Sequence, residues 1–141
     1  MSAQTLPYLN FTNNGTQALS FYQSIFGGEL ILVTFSQMGA LPDDHPAAHL
    51  LMHGVLHGAN IHLYASDVPE GVAPHSLVRG NDMHVALMSD NIEETRSWFT
   101  ALSEGGTVEM PFQKQIWGAA FGSVTDQFGT RWLVNATPSE G

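Results

Sequence analysis

Apolar positions along this chain follow two periods, near 3.6 residues in two stretches and two residues elsewhere, and the order of these stretches predicts the architecture. Ala18, Leu19, Tyr22, Ile25 and Phe26 lie at helical spacing, with Asn13, Asn14 and Thr16 as candidate caps before them and Gly27-Gly28 as the stop. Residues 6–11 ahead of the helix read as a strand, and Pro7 gives it an edge or strand-start position. Beyond the helix come a β-rich run over 29–36, an exposed loop over 39–46, and strands over 48–57 and 60–66 joined at Gly58.

The same succession then returns. Pro69, Gly71, Pro74 and Gly80 mark 68–81 as a linker, and Met83 to Met88 opens a second set with another strand. Asp90 or Asn91 caps a helix reaching about Leu102, with Glu93 and Glu94 in the first turn where the dipole favours them. Gly105-Gly106 stops it, and strands near 107–112, 116–125 and 130–136 follow. Ser20-Phe21-Tyr22 is echoed by Ser97-Trp98-Phe99, a step of 77 residues. The expected fold is therefore α+β, two tandem βαβββ modules over about 5–67 and about 82–137 within one domain spanning 1–141. Phe21, Tyr22, Trp98 and Phe99 should form helix-to-sheet core.

Composition narrows the function classes. A chain of 141 residues, 43% hydrophobic and 12% charged, can bury a core and has no apolar run near the ~20 residues of a membrane span. Zero cysteines exclude disulfides, thiolate catalysis and cysteine-rich metal sites. Four basic against thirteen acidic residues give a net charge of −9, which repels nucleic acid and anionic lipid. The N-terminus shows no basic region followed by an apolar core, so the cytoplasm is the expected location. No serine sits on a Gly-x-Ser-x-Gly elbow, and no two carboxylates read as an acid/base couple.

Pro7-Tyr8-Leu9, the helix ending in Phe26-Gly27-Gly28, Met52-His53, Ser66-Asp67 and the run from Phe121 through Asp126-Gln127-Phe128-Gly129 to Trp132 cover nearly the whole chain. In that order they resemble the vicinal oxygen chelate superfamily of glyoxalase I, bleomycin-resistance proteins and extradiol dioxygenases, and within it the PhnB-like subfamily. The resemblance implies that the paired modules form a cupped, eight-stranded mixed sheet with a ligand pocket, usually in a homodimer. Some members carry a demethylubiquinone methyltransferase label. A methyl donor such as S-adenosylmethionine usually needs a Gly-rich strand-to-helix turn in a doubly wound sheet, and this chain lacks one.

Metal-using members of that superfamily hold one divalent ion with His or Glu from the first and last strands of each module. Matched to those positions, His84 and His62 are the candidate metal ligands, with Tyr64 two residues on from His62 and on the same strand face. The remaining positions offer Pro7 or Tyr8, and Trp132, Leu133 or Val134, so the set is incomplete. His49, His53 and His57 are separated by even steps and would share a strand face. Neighbours along such a face stand ~6.6–7 Å apart, so a polar row is expected rather than a ligand ladder. His53 is kept as a site residue because the resemblance places a His there, with Phe121 as its counterpart. His45 and His75 sit in loops beside Pro.

Tyr8, Phe11, Phe35, Tyr64, Trp117, Phe121 and Trp132 supply rings where a cup would be, and Asn10 shares the face of Tyr8. The expected ligand-binding set is Tyr8, Asn10, His53, Tyr64, Trp117 and Phe121, with Trp117 on a rim strand. The expected function is binding of a small apolar or aromatic molecule without a tightly held metal, in a homodimer. The alternative is a divalent-metal-dependent lyase, isomerase or dioxygenase using His62 and His84, and a scaffold without a ligand is a third reading.

Overall fold

The computed structural model describes residues 2–138. The elements run β1 (Tyr8–Phe11), α1 (Gly15–Phe26), β2 (Glu29–Thr34), β3 (Leu51–His57) and β4 (His62–Asp67), then β5 (Val85–Ser89), α2 (Ile92–Ser103), β6 (Thr107–Lys114), β7 (Ala120–Thr125) and β8 (Arg131–Ala136). The βαβββ order occurs twice, as the periodicities predict. The chain divides into two compact units between Val78 and Arg79.

In the first unit the strand order is β1-β4-β3-β2, with β1 parallel to β4 and the other neighbours antiparallel. The helix α1 places Ala18, Leu19, Tyr22 and Phe26 in the core beside Phe11, Leu51, Leu56, Leu63 and Ala65 from the strands. Burying each large side chain of this kind contributes roughly 1.5–3 kcal/mol. A bulge at Met52 controls what reaches the other face. Val33 pairs with His53 but Thr34 pairs with Leu51, so one extra residue shifts the alternation. Leu51 is consequently buried like Gly54 and Leu56, while His53, Val55 and His57 alternate regularly onto the open face.

The start of α1 is held by tertiary structure rather than by its local caps. Asn14 makes no side-chain cap bond. The buried carboxylate of Asp67 instead accepts the Gly15 N–H through Oδ1 and the Leu51 N–H through Oδ2, both at 2.8 Å. One acid from β4 thus satisfies an orphan donor at the helix start and a donor at the start of β3.

The second unit repeats the arrangement, with strand order β5-β8-β7-β6 and β5 parallel to β8. Here the local cap does form, since Asn91 Oδ1 accepts the Glu94 N–H at 3.0 Å. Trp98, Phe99 and Leu102 from α2 are buried, as are Leu87, Phe112, Val124, Trp132 and Val134 from the sheet. A Cβ on Gly122 would lie 2.8 Å from the Phe112 backbone and 2.9 Å from the Phe99 ring, so only glycine lets these elements approach so closely. In the turn before β8, buried Asp126 accepts N–H groups from Phe128 at 2.8 Å and Thr130 at 3.1 Å through Oδ1. Its Oδ2 accepts the indole N–H of Trp132 at 2.9 Å.

Several positions differ from the sequence expectation. Trp117 is not on a strand: it sits in the β6–β7 turn, where the Gly118 N–H bonds to Gln115 and Gly118 has φ +97°. Ile116 and Trp117 are both exposed there. His49 lies in a turn before β3, so the His row begins at His53. His84 immediately precedes β5. Phe11 and Trp132 are buried in the core and line no open face, whereas Phe21 is only half-buried.

Candidate functional site

The open face of the first sheet gathers rings from three strands. Tyr8 on β1 pairs in register with Tyr64 on β4, and His53 on β3, two residues from Val55, the register partner of Tyr64, faces the same side. The Tyr8 hydroxyl and His53 Nδ1 are 3.1 Å apart, within hydrogen-bond distance. Tyr64 stands edge-on to Tyr8 at 6.1 Å, to His53 at 5.4 Å and to His62 at 5.5 Å between ring centroids. His62 in turn meets His57 at 4.4 Å. Beside Tyr8, Asn10 Oδ1 accepts a long hydrogen bond of 3.4 Å from the Ser66 hydroxyl.

Five rings in mutual contact line one face of the sheet, mostly edge to face, and each keeps a polar tip. The Tyr8–His53 pair also has a proton to spare. With the phenol donating to Nδ1, the imidazole retains an Nε2–H donor. With Nδ1–H donating to the phenol oxygen, the phenol O–H is left to donate and Nε2 can accept. Either way the pair offers a hydrogen bond to a polar group on a flat ligand.

The second unit has a different open face. Phe121 is half-buried, pairs with Asn135 and Gln113, and meets Trp117 at 6.4 Å in a T-shaped contact. Farther along, Glu109 accepts the Thr125 hydroxyl at 2.8 Å and forms an ion pair with Arg131 Nη2 at 2.8 Å. The Thr125 bond, then Arg131 and the charge of His84, hold the Glu109 carboxyl below its ordinary range despite some opposing desolvation. Arg131 Nε is buried without a hydrogen-bond partner.

Because its folded-state value is depressed, Glu109 contributes stability above the unfolded carboxylate range and loses it as pH falls through the lowered value. Glu109→Gln should therefore be less stable than the parent at pH 7, with the gap closing on acidification below about pH 4. Urea midpoints across that range check this, and a gap that stays constant with pH would contradict it.

Within each unit, the residues present do not assemble the ligand set of a held catalytic metal. In the first, the first-strand position carries Tyr8, a phenol engaged with His53, and the last strand adds His62 and Tyr64. In the second, His84 stands before β5, while β8 carries cationic Arg131 and Glu109 is committed to Arg131 and Thr125. Among the described residues, no three of His, Cys, Asp and Glu are grouped to hold an ion.

Of the six expected ligand-binding residues, Tyr8, His53 and Tyr64 come together directly and Asn10 flanks them, while Phe121 and Trp117 pair in the second unit. Sequence reasoning missed His57 as a partner of His62. Counting outward from the turn at Gly58 would have found it, since His57 and His62 are the first cross-strand pair beyond that turn. It also missed Glu109 and Arg131, which are 22 positions apart and carry no local motif.

Comparison with known proteins agrees with this architecture. Residues 6–134 match the model of the Glyoxalase/Bleomycin resistance protein/Dioxygenase superfamily. The chain is 30% identical to protein YjdN of Escherichia coli K12, covering 95% of each chain. The crystal structure of PA1353 from Pseudomonas aeruginosa superposes with a TM-score of 0.81 at 34% identity, covering 98% of this chain and all of that one. A PhnB protein from Bacillus cereus, provisionally described as a 3-demethylubiquinone-9 3-methyltransferase, superposes with a TM-score of 0.75 at 17% identity over 96% of this chain and all of that one. That likeness concerns the fold alone. By the match of its sequence over nearly its whole length, and by its two βαβββ units, this chain belongs to the glyoxalase/bleomycin resistance protein/dioxygenase superfamily.

Proposed function

We propose that this protein binds a small, flat, uncharged molecule of aromatic or quinonoid character on the open face of the first sheet, without needing a tightly held metal. The observation that supports this most directly is the hydrogen-bonded Tyr8–His53 pair, 3.1 Å apart, set against the edge of Tyr64. Rings supply dispersion and area, and the pair supplies the polar group that orients the ligand. The net charge of −9 selects against anionic ligands. Phe121 and Trp117 offer a second aromatic surface on the other unit and are the secondary contacts of this reading.

The test uses 2-naphthol and 1,4-naphthoquinone as probes, with amide chemical shifts of the 15N-labelled protein as the readout; the absence of cysteine removes thiol addition as a complication. Shifts should cluster on β1, β3 and β4. His53→Ala should weaken binding by about tenfold or more, and Tyr8→Phe by roughly three- to tenfold, in line with one hydrogen bond of about 0.5–1.5 kcal/mol. Shifts confined to the second unit, or unchanged affinity in both variants, would overturn the proposal.

A further inference from the structure

One pair of side chains on the first sheet has a geometry that ring stacking alone does not require. His57 and His62 face each other across the β3–β4 hairpin. The Gly58 N–H bonds to the Ile61 carbonyl at 2.8 Å, so the next pair outward is a non-hydrogen-bonded pair, the kind whose side chains stand closest. Their ring centroids are 4.4 Å apart with planes at 69°. Two imidazoles sharing one ion at metal–nitrogen distances of about 2.0–2.1 Å place their centroids roughly 4.5–5 Å apart. The rings are already close to that separation.

Three further observations point the same way. Neither imidazole makes a hydrogen bond or ion pair among the described residues. On the other side of His57, Glu29 of β2 is its register partner and is exposed. The backbone beneath them is closely packed: a Cβ on Gly28, where φ is +104°, would lie 2.7 Å from the His57 carbonyl oxygen. The strand carrying Glu29 is thereby held against the hairpin that carries the imidazoles.

We infer that His57 and His62 form a binding site for an exchangeable late first-row divalent cation, such as Zn²⁺, Ni²⁺ or Cu²⁺, with water in the remaining positions. Imidazole nitrogen suits these ions, whereas Mg²⁺ and Ca²⁺ prefer oxygen. The site lies wholly within the first unit and does not involve His84. Two protein nitrogens make it a weak, open site, consistent with a ligand reading that needs no tightly held metal.

The experiment uses untagged, chelator-treated full-length protein titrated with Ni²⁺ and Zn²⁺ by isothermal calorimetry, with 15N shifts of the imidazole nitrogens recorded for Zn²⁺. One ion per chain should bind, with the nitrogens of His57 and His62 shifting most. His57→Ala and His62→Ala should each lower affinity by about tenfold or more. The double His variant should lose little beyond either single variant, since each removes the chelate. The inference is overturned if the parent binds neither ion, if either single His variant retains parental affinity with native amide spectra, or if the shifts fall on His45, His49, His75 or His84. Naphthol binding by the parent protein in the presence of chelator, which removes the ion and leaves every ring in place, separates the fate of this site from that of the ligand reading.

Discussion

Asp126→Ala should destabilise the protein by about 3–4 kcal/mol, the largest effect expected from any single surface or turn substitution here. One buried carboxylate accepts three donors: the Phe128 and Thr130 N–H groups and the Trp132 indole N–H. Hydrogen bonds to a charged acceptor contribute about 1.5–3 kcal/mol each before the cost of burying the acid is subtracted. Alanine would leave the Trp132 indole N–H, in a side chain only 1% exposed, without this acceptor and out of reach of water. The turn feeding β8 would also lose the bonds that shape it. Asp126→Asn separates these effects, because the amide oxygen can still serve the two backbone N–H groups while its NH₂ faces the indole donor. Asparagine should therefore recover about half the loss. Urea-induced unfolding followed by circular dichroism gives both values, and an alanine effect below about 1 kcal/mol would show that the acid's burial cost cancels its bonds.

Asp67→Ala should cost about 2–3 kcal/mol, and its effect should appear at two distant places at once. The carboxylate bonds the first N–H of α1 and the first N–H of β3, whose residues Gly15 and Leu51 are 36 positions apart. A conventional cap lost from Asn14 would matter little, since that side chain makes no cap bond. Asp67→Asn keeps only one oxygen and should fall between parent and alanine. Hydrogen exchange is the discriminating measurement: amide protection in the first turn of α1 and at the start of β3 should drop together in Asp67→Ala. Loss at only one of them would mean that the other donor finds a substitute partner.

Both acids bear on function through what they hold in place. Asp67 ends the strand that carries His62 and Tyr64, and it ties the first residue of the strand that carries His53 and His57. Asp126 fixes the start of β8, where Arg131 meets Glu109. Variants at these positions should therefore perturb binding indirectly, whereas Tyr8, His53 and His57 lie on open faces and can be changed with the core intact.

Periodicity along the chain was sufficient to determine the βαβββ repeat, both helices, the strand order in sequence and the turn glycines, because these depend on spacings of two and 3.6 residues and on local backbone freedom. Even the family likeness was legible, since its phrases lie at turns and helix ends that any such module must have. Tertiary structure alone decided which side chains meet. A bulge of one residue at Met52 buried Leu51, which plain alternation would have placed on the face of His53, and it cannot be seen in an alternation that reads equally well in either phase. The same sequence row that suggested a ladder along one strand became pairs across strands, Tyr8 with His53 and His57 with His62. Trp117 read as part of a strand because its segment resembles the family's pocket-rim strand, yet the Gly118 turn lifted it to an exposed tip. Strand identity is a local property of residue type and spacing. Register, bulges and partner choice arise only when separate strands are brought together, and these decided which polar groups form the candidate site.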